Sequence, residues 1–410
     1  MPNRIVSSVE PNPNFLHIEL HSPASVANLG SGYDCLAMAV DLWNHFSIWI
    51  SYEEKERRGR EPFVEINIDD MGYTGNRGGE GGIGLKNNNK FIRAFGGTVD
   101  YYSKHDQRSR LSPNFSRFIA ADLVHQIRLS QINHIPDIRG LGSSSSAAVA
   151  GTVAAILYLK NFFELDIELD KPDFFDQPSD DLDLIASLAT VEDHCPDNIC
   201  ACLAGGLTRA FFQDVSSFSD IRHTVRMFKT GLTDDRLRLV VLVPNAILRT
   251  DVAKKVLAEV PDIERQDAVF NLSRAACLPE IFRFRRYQLL AEATKDRLHQ
   301  NLRMLRCYRL NPDLESSFID LREVHKSVLK AGALGVAISG AGSSQVAFCL
   351  ENKVEDVRRA FFESFVREVG VASNKIQQSF PELTWTVESL RILKPINNGI
   401  SFKVTGGYKK

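Results

Sequence analysis

Long apolar runs are missing from these 410 residues: no stretch approaches the roughly 20 consecutive apolar residues that span a bilayer. That predicts no membrane partner. A surplus of one charge is missing too, since 49 Lys and Arg stand against 51 Asp and Glu and leave a formal net charge of −2, so no basic footprint for nucleic acid is expected. The opening Met-Pro-Asn-Arg-Ile-Val-Ser-Ser has no apolar core of the kind a secretory signal carries, and the expectation is a cytoplasmic protein. The seven cysteines, an odd number, form no Cys-x-x-Cys pair. Cys195, Cys200 and Cys202 lie close together but fit no common metal spacing, and reduced thiols are the simpler reading. What remains, 44% hydrophobic and 24% charged residues, is the composition of an ordinary globular chain with enough length for two domains.

Against that plain background three glycine-rich segments stand out. Arg139-Gly140-Leu141-Gly142-Ser143-Ser144-Ser145-Ser146 opens into a small-residue apolar run from Ala147 to Leu159. Glycines let a backbone approach an anion closely, and N–H groups at a helix N-terminus point at it with the positive end of the helix dipole behind them. The segment therefore reads as a phosphate cradle, with a plain helix cap as the competing reading. Near the N-terminus, a strand over Ile18-Glu19-Leu20-His21 runs into Pro23-Ala24-Ser25-Val26-Ala27-Asn28-Leu29-Gly30-Ser31-Gly32-Tyr33-Asp34-Cys35-Leu36. Near the other end, Val336-Ala337-Ile338-Ser339-Gly340-Ala341-Gly342-Ser343-Ser344-Gln345-Val346 reads as strand, tight turn, strand.

Taken in chain order, these three segments resemble the signature motifs of the GHMP kinase superfamily, and the N-terminal one, residues 23–36, is most similar to its homoserine kinase branch. Three further segments are similar to that branch: Pro196-Asp197-Asn198 followed by Gly205-Gly206, Thr250-Asp251-Val252-Ala253-Lys254 after Val243-Pro244, and Asp296-Arg297-Leu298-His299-Gln300-Asn301-Leu302-Arg303. The resemblance implies an α/β (α+β) fold of two domains. Residues 1–220 would form the ATP-binding domain, ribosomal-protein-S5-domain-2-like with a left-handed βαβ element, and residues 221–410 a ferredoxin-like C-terminal domain. It also implies ATP and Mg²⁺, a small-molecule amino alcohol as substrate, with L-homoserine the leading choice, and a homodimer. Another small amino alcohol or hydroxy acid, or a non-catalytic ligand-binding relative, remains the alternative.

Phosphoryl transfer to an alcohol needs the triphosphate held, its charge neutralised and the hydroxyl placed in line. The resemblance assigns residues 139–146 to the triphosphate, with Gly340 and Gly342 closing over it and Asn89 near the adenine. Ser144 is the expected Mg²⁺-facing hydroxyl and Glu192 the expected metal carboxylate. Family members read Glu-Gly-His-Pro-Asp-Asn where this chain reads Glu192-Asp193-His194-Cys195-Pro196-Asp197-Asn198. Either Cys195 is inserted and His194 keeps the histidine role, the preferred alignment, or Cys195 replaces the histidine and Asp193 the glutamate. Asp34 is expected to hold a substrate ammonium, Arg303 and Lys254 its carboxylate, and Asn28 and Asn198 its hydroxyl. Lys254 stands where the family carries arginine, and Arg249 is a candidate compensation. Asp197 is the rival proton acceptor. Three stretches look like additions to a compact kinase: the charged run 52–62, residues 72–84 with seven glycines, and the acidic segment 163–183.

Overall fold

The computed structural model describes residues 15–53, 63–70, 89–105, 124–163, 165–213, 224–232, 234–259, 262–310, 317–375 and 385–406. Of the expected additions, 72–84 and all but the first two residues of 52–62 lie outside the described residues.

The first sheet grows from β1 (Phe15–Ala27) and β2 (Leu36–Glu53), an antiparallel pair whose register shifts between Pro23 and Ala24, where proline offers no ladder donor. β2 continues into β4 (Val124–Asn133), and β4 pairs in parallel with β3 (Phe63–Asp70). The chain joining that parallel pair passes through helix α1 (Lys90–His105), which gives the expected βαβ unit. β5 (Leu207–Phe212) pairs with β2 and with β6 (Val225–Thr230), and β11 (Ser401–Gly406) closes onto β1. The expected boundary between residues 220 and 221 therefore needs correcting. β6 pairs with β5 from Leu207↔Thr230 to Phe212↔Val225, and β11 pairs with the first half of β1, so both belong to the first layer.

Among the described residues four helices lie with this sheet: α1, α2 (Ser143–Phe163), α3 (Asp180–Asp193) and α4 (Pro196–Ala204). The apolar small-residue run makes α2 apolar all round, and such a helix belongs inside the core. Nearly every residue from Ser145 to Leu159 is buried. A Cβ on Gly151 would lie 2.1 Å from the Phe91 carbonyl oxygen, so α1 and α2 touch backbone to backbone. Among the described residues α2 alone has the length and apolarity to cross a membrane, and it is packed inside the protein. The acidic stretch between α2 and α3 is less peripheral than expected, because Leu165, Ile167, Leu169 and Phe175 are buried in the same core.

The second sheet has the order β10-β7-β9-β8, antiparallel throughout, built from β7 (Leu237–Pro244), β8 (Gly335–Ile338), β9 (Gln345–Leu350) and β10 (Val387–Leu393). Numbered within the layer this is 4-1-3-2, the ferredoxin-like order. Among the described residues six helices accompany it: α5 (Thr250–Ala258), α6 (Arg265–Arg283), α7 (Leu290–Ala293), α8 (Gln300–Arg306), α9 (Leu321–Lys330) and α10 (Val354–Lys375). One core cluster joins the layers, with Val26, Leu29, Leu36 and Met38 from the first packed with Leu239, Val241, Val346 and Phe348 from the second.

Candidate active site

A cleft of about 510 Å³ opens where the layers meet, and all three glycine-rich segments contribute to its lining. The cradle forms as the sequence suggests. Gly140 and Gly142 have φ of +73° and +72°, a region other residues rarely adopt, and they turn the chain so that Ser143, Ser144 and Ser145 open α2 facing the cleft. Leu141 lines it too. The third segment braces this turn: Ser339 Oγ donates to the Gly140 carbonyl at 2.6 Å, and the Ser344 amide donates to the Arg139 carbonyl at 3.2 Å. Gly340 and Ala341 line the cleft.

Four residues expected at the nucleotide lie outside the lining. The Arg139 guanidinium turns away to the carbonyls of Pro244 and Asn245, each at 2.9 Å, and to Glu388 at 3.0 Å, tying the cradle to the second sheet. Ser146 is buried and donates to the Ser22 carbonyl at 3.1 Å. Gly342 packs under Tyr308, whose hydroxyl would lie 2.3 Å from an added Cβ. Asn89 caps α1, accepting from the Ile92 amide at 3.1 Å and donating to Gln131 at 3.2 Å.

The metal carboxylate and the histidine are corrected as well. Glu192 points to Arg93, 2.9 Å away. His194 takes a left-handed conformation (φ 56°) as the residue that ends α3, and its side chain is exposed. That single turn sends Asp193 and Cys195 into the cleft and His194 out of it. Both Asp193 oxygens accept from serine hydroxyls, one from Ser144 and one from Ser145. Among the described residues no Lys, Arg or His pairs with Asp193, so a carboxylate and a hydroxyl stand together as uncompensated hard oxygens. This donor set fits Mg²⁺. It does not extend to zinc: the cysteines are free, and among the described residues no group of three or more His, Cys, Asp or Glu is placed to hold a metal.

At the other end the cleft is lined by Asn28, Asp34, Cys195, Asp197, Asn198, Lys254 and Arg303. Asn28 Nδ2 donates to the Gly340 carbonyl at 2.7 Å, while its Oδ1 accepts from the Asp34 amide at 2.9 Å. Asn198 Oδ1 accepts from Ser25 Oγ at 2.8 Å, which leaves an amide donor as the group Asn198 offers the cleft. Arg249 also lines the cleft but is held by Asp251 through two 3.0 Å contacts, so it is a weak substitute for the missing arginine.

Arg303 is 1% exposed, with no carboxylate partner among the described residues and a buried Nε that bonds to nothing. Its Nη1 lies 3.0 Å from the Gly340 carbonyl and 3.1 Å from His299 Nδ1. His299 Nε2 lies 2.8 Å from the Gly30 carbonyl, which can only accept. The proton therefore sits on Nε2, and Nδ1 is the lone pair that receives Arg303. Burial, with the Arg303 charge adding to it against Asp296, brings His299 down to about 4 and keeps it neutral. Asp296 accepts from the His299 and Gln300 amides at 2.9 and 2.6 Å, and Gln300 Oε1 accepts from the Ile338 amide at 2.8 Å. The Asp-x-x-His-Gln-x-x-Arg spacing thus caps α8, anchors β8 and tethers the guanidinium in one turn.

Burial, reinforced by the Asp34 charge, pushes Asp197 up to about 7. Burial raises the Cys195 thiol well above its ordinary range, with Asp193 and Asp197 adding to the effect, so it is not a nucleophile at neutral pH. Two features escaped the sequence reading. Lys90 lines the cleft with no motif to signal it. The His299 tether to Arg303 carries only the i, i+4 spacing of one helix face.

The family model for the GHMP kinases N terminal domain matches residues 113–206, and that for the GHMP kinases C terminal matches residues 288–367. The chain is 31% identical over 324 residues to the homoserine kinase of Campylobacter jejuni subsp. jejuni serotype O:23/36 (strain 81-176), covering 78% of this chain and 85% of that one. In fold it is similar to the crystal structure of homoserine kinase from Cytophaga hutchinsonii, with a TM-score of 0.61 at 20% identity over 94% of this chain and 97% of that one. It is similar too to L. major mevalonate kinase, with a TM-score of 0.51 at 14% identity over 92% and 95% of the two chains.

Proposed function

From the premise that this chain belongs to the homoserine kinase family of the GHMP kinases, and is a kinase, we propose that it transfers the γ-phosphoryl group of ATP to the side-chain hydroxyl of L-homoserine. The product is O-phospho-L-homoserine, on the route to threonine. The observation that carries this reading is the charge layout of the cleft, in which a phosphate cradle and uncompensated hard oxygens share one lining with Asp34 and with a buried Arg303 that has no carboxylate partner among the described residues. An amino acid bearing an ammonium and a carboxylate complements Asp34 and Arg303.

In this mechanism the amides opening α2 and the hydroxyl of Ser143 hold phosphate oxygens, while the Ser145 hydroxyl orients Asp193. Ser144 and Asp193 would hold Mg²⁺, which would supply positive charge against the phosphates. Asp34 receives the substrate ammonium. Arg303 receives the carboxylate through its unused Nε and Nη2 edge, assisted by Lys254. Asn198, with its oxygen occupied by Ser25, donates to the acceptor oxygen and orients it in line. An amide accepts no proton, so the hydroxyl proton leaves to a phosphate oxygen, and catalysis rests on positioning and charge.

Lys254 and Cys195 support a second reading, a different small amino alcohol or hydroxy acid, because both line the cleft where the family carries arginine and histidine. A coupled ADP-release assay with L-homoserine, L-threonine, L-serine and mevalonate, run on wild type and Ser144→Ala, separates them. Homoserine-dependent turnover lost in the variant supports the first reading. Turnover on another alcohol alone replaces it with the second.

A further inference from the structure

Four cations line the cleft, and three of them are spoken for at the acceptor end or by a neighbour. Arg303 is tethered to His299 and Gly340, and Arg249 is held by Asp251. Lys254 is assigned above to the acceptor carboxylate. The fourth is Lys90, the first residue of α1. Its Nζ donates to the backbone carbonyl of Glu192, and among the described residues it has no carboxylate partner. Glu192 is the neighbour of Asp193, whose oxygens touch Ser144 and Ser145. Lys90 is therefore the cation at the cradle end, held by the carbonyl one residue before the carboxylate assigned to the metal.

We propose that Lys90 is a binding residue for the nucleotide polyphosphate, its ammonium held by the Glu192 carbonyl while its remaining N–H donors reach a phosphate oxygen. A lysine ammonium carries three donors, and the carbonyl uses one. The anchor fixes a long side chain before the nucleotide arrives, lowering the ordering cost of the contact. The charge layout calls for a cation at this end. A triphosphate brings about four negative charges, Mg²⁺ offsets two, and Asp193 adds one of the wrong sign. Helix-end amides contribute only partial charge. The inference rests on the kinase reading but needs no particular acceptor alcohol.

The test is equilibrium titration of a fluorescent ATP analogue, the matching ADP analogue and unmodified adenosine, with no acceptor present, against wild type, Lys90→Met and Lys90→Arg. A charge-assisted hydrogen bond of ordinary strength converts to a loss of between about tenfold and a hundredfold in ATP affinity for Lys90→Met. Adenosine, which has no phosphate, should bind all three proteins within about twofold, and Lys90→Arg should keep most of the affinity for ATP. Unchanged ATP affinity in Lys90→Met overturns the proposal. So does an equal loss for ATP and adenosine, which assigns Lys90 to holding the end of α3. Should Lys90→Met fail to fold, Lys90→Gln keeps a donor for the Glu192 carbonyl and removes the charge, and the same comparison decides. Failure of L-homoserine to turn over leaves these outcomes untouched and counts only against the acceptor assignment.

Discussion

Gly140→Ala tests whether the cradle exists only because the two layers meet there. At Gly140 an added Cβ would sit 2.1 Å from the Ser339 carbonyl oxygen and 2.8 Å from that of Gly342, and φ is +73°. The left-handed backbone costs alanine about 1 kcal/mol. Relieving the contact with Ser339 moves the cradle by about 1 Å, and the Ser339 Oγ bond to the Gly140 carbonyl, 2.6 Å long, is lost or stretched at a further cost of about 1 kcal/mol. The sum is a destabilisation of about 2 kcal/mol, or a drop in melting temperature of about 2–3 °C for a chain of this size. A 1 Å displacement at the phosphates is enough to reduce turnover about 100-fold. Gly96→Ala is the control: Gly96 lies exposed in α1 with nothing within 4 Å of an added Cβ, and alanine should gain about 0.5–1 kcal/mol there. Calorimetric melting and ATP titration read both variants. Wild-type melting and ATP affinity in Gly140→Ala would refute the argument, because the close approach of the two backbones would then be absent in solution.

Asp193→Asn should move the Mg²⁺ midpoint of activity upward by about tenfold or more, while Glu192→Gln, which loses only the contact with Arg93, should leave it within about twofold. The reverse ranking in a Mg²⁺ titration returns the metal to Glu192. Arg303→Lys gives up the two Nη1 bonds and the planar fork, so the KM of the acceptor should rise about 10–100-fold with little change for ATP, read by steady-state kinetics. Asp197 holds its proton up to about 7 in the folded state, whereas the unfolded chain loses it near pH 4. The folded state therefore carries more protons across that window, and the cost of Asp197 to stability grows through it and is complete above its upper end. Asp197→Asn should raise the melting temperature at pH 8 and have little effect at pH 4; equal shifts at both would remove the buried charge as the cause.

The residues most legible in the sequence were those whose type and neighbours jointly specify one backbone. Gly140 and Gly142 before four serines announce a turn into a helix, and the apolar small-residue run announces its burial, because both signals are local. The misreadings come from placements that no local signal fixes. One left-handed residue at His194 exchanges which of three consecutive side chains face the cleft. Asn89 is a sound helix cap and a plausible adenine ligand by residue type alone, and only the Ile92 and Gln131 contacts decide. Arg139 sits inside the cradle segment, yet its side chain is claimed by Pro244, Asn245 and Glu388, all more than a hundred residues away. The 220/221 boundary failed for the same reason: β6 and β11 join the first sheet through pairings that depend on what is left unpaired at the edges of β5 and β1.

The third glycine segment, expected to close over the phosphates, has its main connections elsewhere. The Gly340 carbonyl accepts from Asn28 in the first segment and from Arg303 in α8, and the Gly340 amide donates to the Ala27 carbonyl at 3.1 Å. A single peptide thus positions two residues at the acceptor end, while its neighbour Ser339 holds the cradle from behind. Any movement of the second layer relative to the first would displace both ends of the cleft together. That coupling explains how Arg303, proposed above to bind the acceptor, is held without a carboxylate partner among the described residues: Gly340 and the neutral His299 fix its geometry with uncharged acceptors. Its full charge is left for the substrate, whereas an internal carboxylate would have held the same geometry and neutralised it.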